Sequence, residues 1–157
     1  MATSTECDSY ETLAESDING GATIQAGCYR IEEKHAVDSG TLTLEPGVVI
    51  EFGKNAGIKI KQGGHLQSTG TAEQPVVLRG KTEQRGHWRG IGFTGDGSTD
   101  NSLEHTDIAH AGGELWTGDQ ETHAAVFITK AAVDVDSCTL RQNAGKALLS
   151  RHRAADL

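Results

Sequence analysis

The chain has 157 residues, a formal net charge of −8 at pH 7 and only 4% aromatic residues. It contains neither a basic stripe nor a run of about 20 apolar residues, so we expect no nucleic-acid partner and no membrane insertion. Its 20 glycines and two prolines indicate a single domain with many tight turns around a narrow aliphatic core, and no cofactor motif is present.

The N-terminal 39 residues are polar and carry two of the three cysteines, Cys7 and Cys28. A disulfide between them would staple a segment with little core of its own, which suits an exported protein. Three free thiols in a reducing compartment are the alternative. The N-terminus lacks the basic and apolar regions of a signal peptide. The sequence therefore leaves open a cytoplasmic protein, or an extracellular or cell-envelope protein whose export signal is absent from this chain.

From residue 40 onward, short runs of alternating apolar and polar residues are separated by glycine-rich turns. Gly40–Leu44 and Gly64–Ser68 repeat the same alternation 24 residues apart. Leu103–Gly113 aligns with Val135–Gly145 at an offset of 32, which falls to 22 when the ten-residue loop 114–123 is set aside. A period in the low twenties with about three short strands describes one coil of a parallel β-solenoid. Strands are predicted at residues 41–45, 48–52, 58–61, 65–68, 76–79, 90–94, 103–109, 125–129, 133–141 and 147–149.

We therefore predict an all-β fold, a right-handed parallel β-helix of about four to five coils. An antiparallel sandwich is the alternative, although it needs longer strands and hairpin turns. Three regions follow: an N-terminal cap segment at 1–39, β-helix coils at 40–149, and a C-terminal tail or cap at 150–157. The helix formers of residues 146–157 predict a short helix over the last coil, with a frayed tail or the cut end of a longer solenoid as alternatives.

Four segments carry a resemblance to a known group: Leu42–Phe52, Gly70–Leu78, His87–Phe93 and Leu103–Gly113. Through them the chain resembles bacterial right-handed parallel β-helix repeat proteins, over roughly residues 22–148. Many proteins of this group are secreted or lie on the cell surface, so the resemblance implies an extracellular or cell-envelope location. Relatives of the same fold include polysaccharide lyases and hydrolases, and the fold alone does not decide among these roles.

Two carboxylates form the best enzyme candidate. The repeat aligns Glu104 with Asp136, which predicts an outward pair on neighbouring coils, flanked by Asp134 and Arg141. A hydrolase of this fold needs two such carboxylates, whereas a lyase needs an acidic calcium cluster and a basic proton acceptor. A solvated strand face explains the same residues, and we favour it, so the sequence predicts no catalytic residue.

The sequence predicts no metal site either. Its seven histidines lack the ligand spacing of a zinc motif. The turn that contains Asp96 and Asp100 offers oxygen ligands to Ca²⁺, and these two residues are the only metal candidates. An exposed polar turn accounts for them equally well.

The loop 112–123 interrupts the repeat and carries an apolar pair, Leu115 and Trp116. An exposed tryptophan is a common platform for a sugar ring or a protein surface, so these residues are binding candidates together with Trp88. The alternative is that Trp116 folds back and shields a coil flank, and Trp88 is likewise expected to cover the side of a coil.

The function predicted from these features is a noncatalytic exported β-helix module with a structural or binding role, whose partner is a glycan or a protein surface. Two alternatives stay open. One is a carbohydrate-active enzyme, either a polysaccharide lyase or a hydrolase. The other is a self-assembling solenoid element that forms a homo-oligomer through its open coil ends.

Overall fold

A computed structural model describes residues 7–94, 98–116 and 123–151 of the chain, without the side chains of residues 98, 99 and 151. The described residues form 16 β-strands and one short helix, α1 (Glu15–Ile18), which follows the first strand, β1 (Glu11–Thr12). All strand pairs are parallel and belong to three sheets. No helix in this part of the chain is long and apolar enough to cross a membrane.

After β1 and α1, the strands form five coils of three strands each. The first two coils comprise β2 (Ala22–Ile24), β3 (Gly27–Ile31) and β4 (Lys34–Val37), then β5 (Gly40–Leu44), β6 (Val48–Phe52) and β7 (Gly57–Ile60). The third and fourth comprise β8 (Gly64–Thr69), β9 (Val76–Gly80) and β10 (Gly90–Phe93), then β11 (Ser98–Glu104), β12 (Thr106–Ala109) and β13 (Ala124–Thr129). The fifth comprises β14 (Ala131–Asp136), β15 (Thr139–Arg141) and β16 (Lys146–Arg151).

Each strand pairs with its counterpart in the next coil, so three sheets run along the stack. Sheet 1 has the order β2-β5-β8-β11-β14, sheet 2 the order β1-β3-β6-β9-β12-β15, and sheet 3 the order β4-β7-β10-β13-β16. The predicted right-handed parallel β-helix is confirmed, and its five coils agree with the expected four to five.

Inward side chains of successive coils stack into ladders that form the core. Ile50 pairs with Leu78, Leu78 with Ile108 and Ile108 with Leu140, and the first three of these side chains are completely buried. Each inward side chain packs against the corresponding side chain of the next coil. Truncating one buried aliphatic side chain to alanine therefore leaves a cavity and lowers the free energy of unfolding by about 2–5 kcal/mol.

Two polar side chains replace apolar rungs in the core. Ser68 and Thr106 are buried, and their hydroxyl oxygens lie 2.7 Å apart. The hydroxyl of Thr106 also donates to the carbonyl of Glu104, 3.0 Å away, so the pair has a partner beyond itself. Buried hydroxyls of this kind cost little as long as they stay paired.

His105 and Ser137 form corners of the helix without glycine. Their φ values are 43° and 58°; His105 separates β11 from β12, and Ser137 separates β14 from β15. The long strands predicted at 103–109 and 133–141 are therefore each two strands. The inward positions shift by one residue at each corner, since Leu103 is followed by Thr106 and Ile108, and Val133 by Cys138 and Leu140. Each predicted strand spans this shift, so the bend was missed.

The structure also places both ends differently from the sequence prediction. The first coil begins at Ala22, inside the segment 1–39 predicted as a cap, and the cap consists of β1, α1 and their flanking residues. At the other end, Lys146–Arg151 forms β16 rather than part of a helix, because pairing with β13 outweighs helix propensity. Residues 152–157 of the predicted tail lie outside the described residues.

Candidate functional site

The carboxylates expected from the repeat lie on sheet 1. Glu104 and Asp136 are paired in register on β11 and β14, and both are exposed, as is Asp134. Arg141 lies on sheet 2 instead, where its Nε donates to Asp107 at 3.2 Å. The structure thus brings the three carboxylates to one surface but gives Arg141 a different partner.

The two tryptophans are packed inside the protein. Trp88 is completely buried, its ring stacks on Phe52 with centroids 3.9 Å apart, and its Nε1 donates to the carbonyl of Ala109 at 2.7 Å. It belongs to the core of the coil stack and does not lie over its side.

Trp116 folds back onto the outer face of sheet 3. It is 4% exposed, lies parallel to Phe127 with centroids 6.1 Å apart, and donates from Nε1 to the carbonyl of Ala124 at 2.9 Å. Leu115 beside it is half-buried and forms a bridge with His123. Trp116 therefore shields a coil flank, the second of the two positions considered, and does not offer an exposed ring face.

Arg89 lies over the Trp116 ring. Its Cζ is 4.2 Å from the ring centroid, and its Nη2 donates to the carbonyl of Leu115 at 3.0 Å. Burial lowers the pKa of Arg89, while the nearby Glu114 acts in the opposite direction. The guanidinium is thus held by a cation–π contact and a hydrogen bond next to open surface.

Four cationic side chains surround a cleft of about 180 Å³ on sheet 3, which we call the basic cleft: Lys34, Lys59, Lys61 and Arg89. The remaining lining residues are Glu15, His35, Ala36, Gly57 and Ile58.

Small residues keep the floor of the basic cleft low. Lys34 is in register with Gly57 on the next strand, and Gly57 with Gly90 on the strand after that. A Cβ at Gly57 would lie 2.9 Å from the carbonyl oxygen of Gly90. Because these positions have no side chains, the side chain of Arg89 packs directly against the backbone at Gly57.

The charges of the basic cleft are only partly neutralised. Lys34 forms an ion pair of 2.7 Å with Glu114, and the Oε1 of Glu15 accepts the backbone N–H of Ala36 at 2.8 Å. None of the ion pairs among the described residues includes Lys59 or Lys61. Burial lowers the pKa of Lys59, and the positive charges of Arg89 and Lys61 lower it further. The cleft therefore has an excess of positive charge that an anion would relieve.

A second charged cluster, on sheet 2, is neutralised internally. Glu51 accepts hydrogen bonds from Arg30 at 3.0 Å, Arg79 at 3.2 Å and the hydroxyl of Tyr10 at 2.8 Å. Burial is the largest influence on its pKa and raises it, but the hydrogen bonds from Arg30 and Tyr10 and the two positive charges together lower it. With the Cys7–Cys28 disulfide, this cluster fastens the N-terminal segment to sheet 2.

The histidines and the polar turn do not form a metal centre in the described residues. No group of three or more His, Cys, Asp or Glu side chains there is arranged to hold a metal ion. His110 is buried, and its Nδ1 accepts the backbone N–H of Gly80 at 3.2 Å. Of the calcium candidates, Asp100 is exposed within β11, at the irregularity between Ser98 and Asn101, with φ of 63°, whereas Asp96 lies outside the described residues.

The basic cleft was not predicted from the sequence because its members are far apart in the chain and none belongs to a motif. One signal was available, since the alternation in Gly57–Lys61 assigns both of its lysines to the outer face. The coil period would have placed Lys34 beside that segment on the neighbouring strand, but not Arg89, because the next strand of the sheet follows only after a longer turn.

Comparison with protein families gave one match. Residues 16–132, more than half of the chain, match the family model described as a pectate-lyase-like β-helix domain. Neither the curated proteins nor the solved structures contain a significant match.

Proposed function

Since the chain belongs to the pectate-lyase-like β-helix family, we propose that it is a noncatalytic binding module that holds an anionic glycan in the basic cleft. One observation carries the proposal. A chain with a net charge of −8 concentrates four cationic side chains around one cleft on sheet 3. Carboxylate groups on a sugar polymer would supply the opposite charge and accept the hydrogen bonds.

The buried aromatic residues support recognition by charge rather than by stacking. Trp88 and Trp116 are both less than 5% exposed, so neither presents a ring to a neutral sugar. Lys59 and Lys61 extend from neighbouring outward positions of sheet 3, and Lys34 lies on the preceding strand. Strands in a sheet are about 4.8 Å apart, so an extended chain of acidic sugars can meet more than one amine.

The arrangement on sheet 1 supports a noncatalytic role. Glu104 and Asp136 are exposed on an outer strand face, and Arg141, the cation expected beside them, is bonded to Asp107 on another sheet. A catalytic carboxylate pair usually lies in a cleft that encloses the substrate, and these side chains lie on an outer strand face instead.

The disulfide supports export of the protein. Cys7 and Cys28, 21 residues apart, are bonded in the structure. Structural disulfides persist in oxidising environments such as the cell exterior or envelope. We therefore propose an extracellular or cell-envelope location, where acidic glycans would be accessible.

One observation favours a second function, a polysaccharide lyase that uses the same cleft. The lowered pKa of Lys59 increases the fraction of neutral amine, which can act as a base. A neutral Lys59 would remove the proton next to the carboxylate of an acidic sugar. The glycosidic oxygen on the adjacent carbon would then leave, forming a carbon–carbon double bond, while Arg89 and Lys61 stabilise the negative charge.

Calorimetric titration with polygalacturonate, and with neutral dextran for comparison, tests the proposal. We expect the protein to bind polygalacturonate and not dextran, with an affinity that falls as salt is added. The double variant Lys59→Gln/Lys61→Gln should bind at least about tenfold more weakly, because each charge-assisted hydrogen bond contributes about 1.5–3 kcal/mol. Lys54→Gln, an exposed lysine outside the basic cleft, is the matched control.

Two results would contradict the proposal. Equal affinity of the double variant and the wild-type protein would show that the basic cleft does not bind the glycan. Ultraviolet absorbance measures the release of unsaturated sugars from polygalacturonate. Release that is lost in Lys59→Gln would show that the protein is a lyase and not a noncatalytic binding module.

A further inference from the structure

The last coil leaves part of the core open. Val135 on β14 is 42% exposed and Leu148 on β16 is 37% exposed, and among the described residues these are the only exposed large hydrophobic side chains. Both occupy inward positions, since Val135 is in register with buried Leu103 and Leu148 with buried Val126. Val133 and Leu140 of the same coil are only partly buried.

The backbone edges of this coil are open as well. In the sheet orders, β14, β15 and β16 are each the last strand of their sheet. Three adjacent strand edges around an exposed apolar centre form a template for another β-structure.

The first coil differs, because the N-terminal segment covers it. Leu13 and Ile18 are buried against it, and β1 pairs with the edge of β3. The carboxylate of Glu15 accepts the N–H of Ala36, and Asn19 accepts the N–H groups of Asp38 and Ser39. The N-terminal segment therefore covers the inward side chains of the first coil and pairs with one of its strands, so it obstructs head-to-tail stacking onto this end.

We propose that the fifth coil binds the fifth coil of a second copy of this chain, forming a twofold symmetric dimer end to end. A twofold axis through β15 pairs this strand with itself in antiparallel orientation. It also sets β14 of each copy against β16 of the other. In a closed interface of this kind, all three open strand edges of each copy are paired.

The two strands that meet across this interface match in length and avoid like charges. β14 and β16 each contain six residues. β14 carries Asp134 and Asp136, whereas β16 contains no carboxylate. Pairing β14 with β16 therefore keeps the carboxylates of the two copies apart, while pairing β14 with itself would bring them together.

The alternation of the side chains selects the register. Residues directly opposite each other in an antiparallel pair point to the same face. The inward positions Val135 and Leu148 must therefore face each other across the interface, which pairs the two exposed large hydrophobic side chains of the described residues. Each copy contributes both residues, so the contact occurs twice.

Sedimentation velocity over a range of concentrations tests the dimer. We expect a species of twice the 16.6 kDa chain mass that dissociates on dilution. Val135→Lys/Leu148→Lys should be a folded monomer, because these side chains are already partly solvated and circular dichroism can verify the fold. Thr23→Lys, an exposed strand position in the covered first coil, should leave the dimer intact.

Disulfide trapping tests the register and the symmetry. In a Cys138→Ser background, we expect a mixture of Val135→Cys and Leu148→Cys chains to form a cross-linked dimer under mild oxidation, and Val135→Cys alone to form none. A strict monomer at all concentrations would overturn the proposal and would assign the cover of this end to residues 152–157 or to further chain. Growth without limit, or an unchanged dimer in the double lysine variant, would also overturn it.

Discussion

Replacing Gly92 by alanine tests how sheet 3 builds the wall of the basic cleft. Gly92 lies on β10 beneath the Trp116 ring, and a Cβ there would lie 2.5 Å from Cζ3 and 2.7 Å from Cε3 of the indole. Side-chain carbons do not approach a ring this closely, so the indole must shift. Because the guanidinium of Arg89 rests on that ring, it should move with it.

The cost can be bounded from the contacts of the ring. Overpacking a tight site costs about 1–3 kcal/mol. If the indole leaves instead, the protein loses its contact with Phe127, about 0.5–1.5 kcal/mol, and a hydrogen bond to Ala124, about 1 kcal/mol. Either route lowers the free energy of unfolding by about 1–3 kcal/mol, which corresponds to roughly 2–4 °C in Tm for each kcal/mol.

Urea unfolding of four proteins measures this effect: the wild type, Gly92→Ala, Trp116→Ala and the double variant. The indole is absent in the Trp116→Ala background, so adding Gly92→Ala there should cost nothing beyond a few tenths of a kcal/mol. The affinity of Gly92→Ala for polygalacturonate should also fall, since Arg89 loses its support. Equal costs of Gly92→Ala in the two backgrounds, or no cost in either, would refute the reasoning.

Three further predictions concern stability. Ser68→Ala should cost about 1–3 kcal/mol in urea unfolding, because it leaves the buried hydroxyl of Thr106 with fewer partners, and Thr106→Val should add less in the Ser68→Ala background than alone. The lowered pKa of Glu51 means that its stabilising contribution is present above its unfolded pKa and is lost as pH falls through its folded pKa. Glu51→Gln should therefore reduce the dependence of Tm on acid pH, and an unchanged acid profile would count against that cluster. Reduction of Cys7–Cys28, which closes a segment with a sequence separation of 21, should lower the free energy of unfolding by about 3 kcal/mol, checked by calorimetry with Cys7→Ser as comparison.

The coil architecture could be predicted because the alternation and the turn residues that produce each strand are close together in the sequence. Gly40–Leu44 and Gly64–Ser68 repeat the same alternation, and the structure pairs them in register. The corners at His105 and Ser137 were missed, since neither is marked by a glycine or a proline. Tertiary pairing also overrode propensity at β16, where helix formers complete sheet 3.

The candidate site was much less predictable than the fold. The repeat correctly predicted that Glu104 and Asp136 lie side by side. Arg141, which was expected beside them, forms an ion pair with Asp107 on another sheet instead. Stacking in a solenoid brings together residues from different coils, and short, variable turns obscure which coil position each occupies. The environment that makes Lys59 unusual, with Arg89 alongside it, depends on those turns and cannot be read from either residue alone.

The most direct test of the proposed function is to map the glycan on the protein by nuclear magnetic resonance. Spectra of the ¹⁵N-labelled protein should be recorded during titration with short oligogalacturonates. We predict that the shifted amides cluster on β4, on β7 and around Arg89. Shifts concentrated at Glu104 and Asp136 on sheet 1, or no shifts at saturating ligand, would contradict the assignment of the basic cleft.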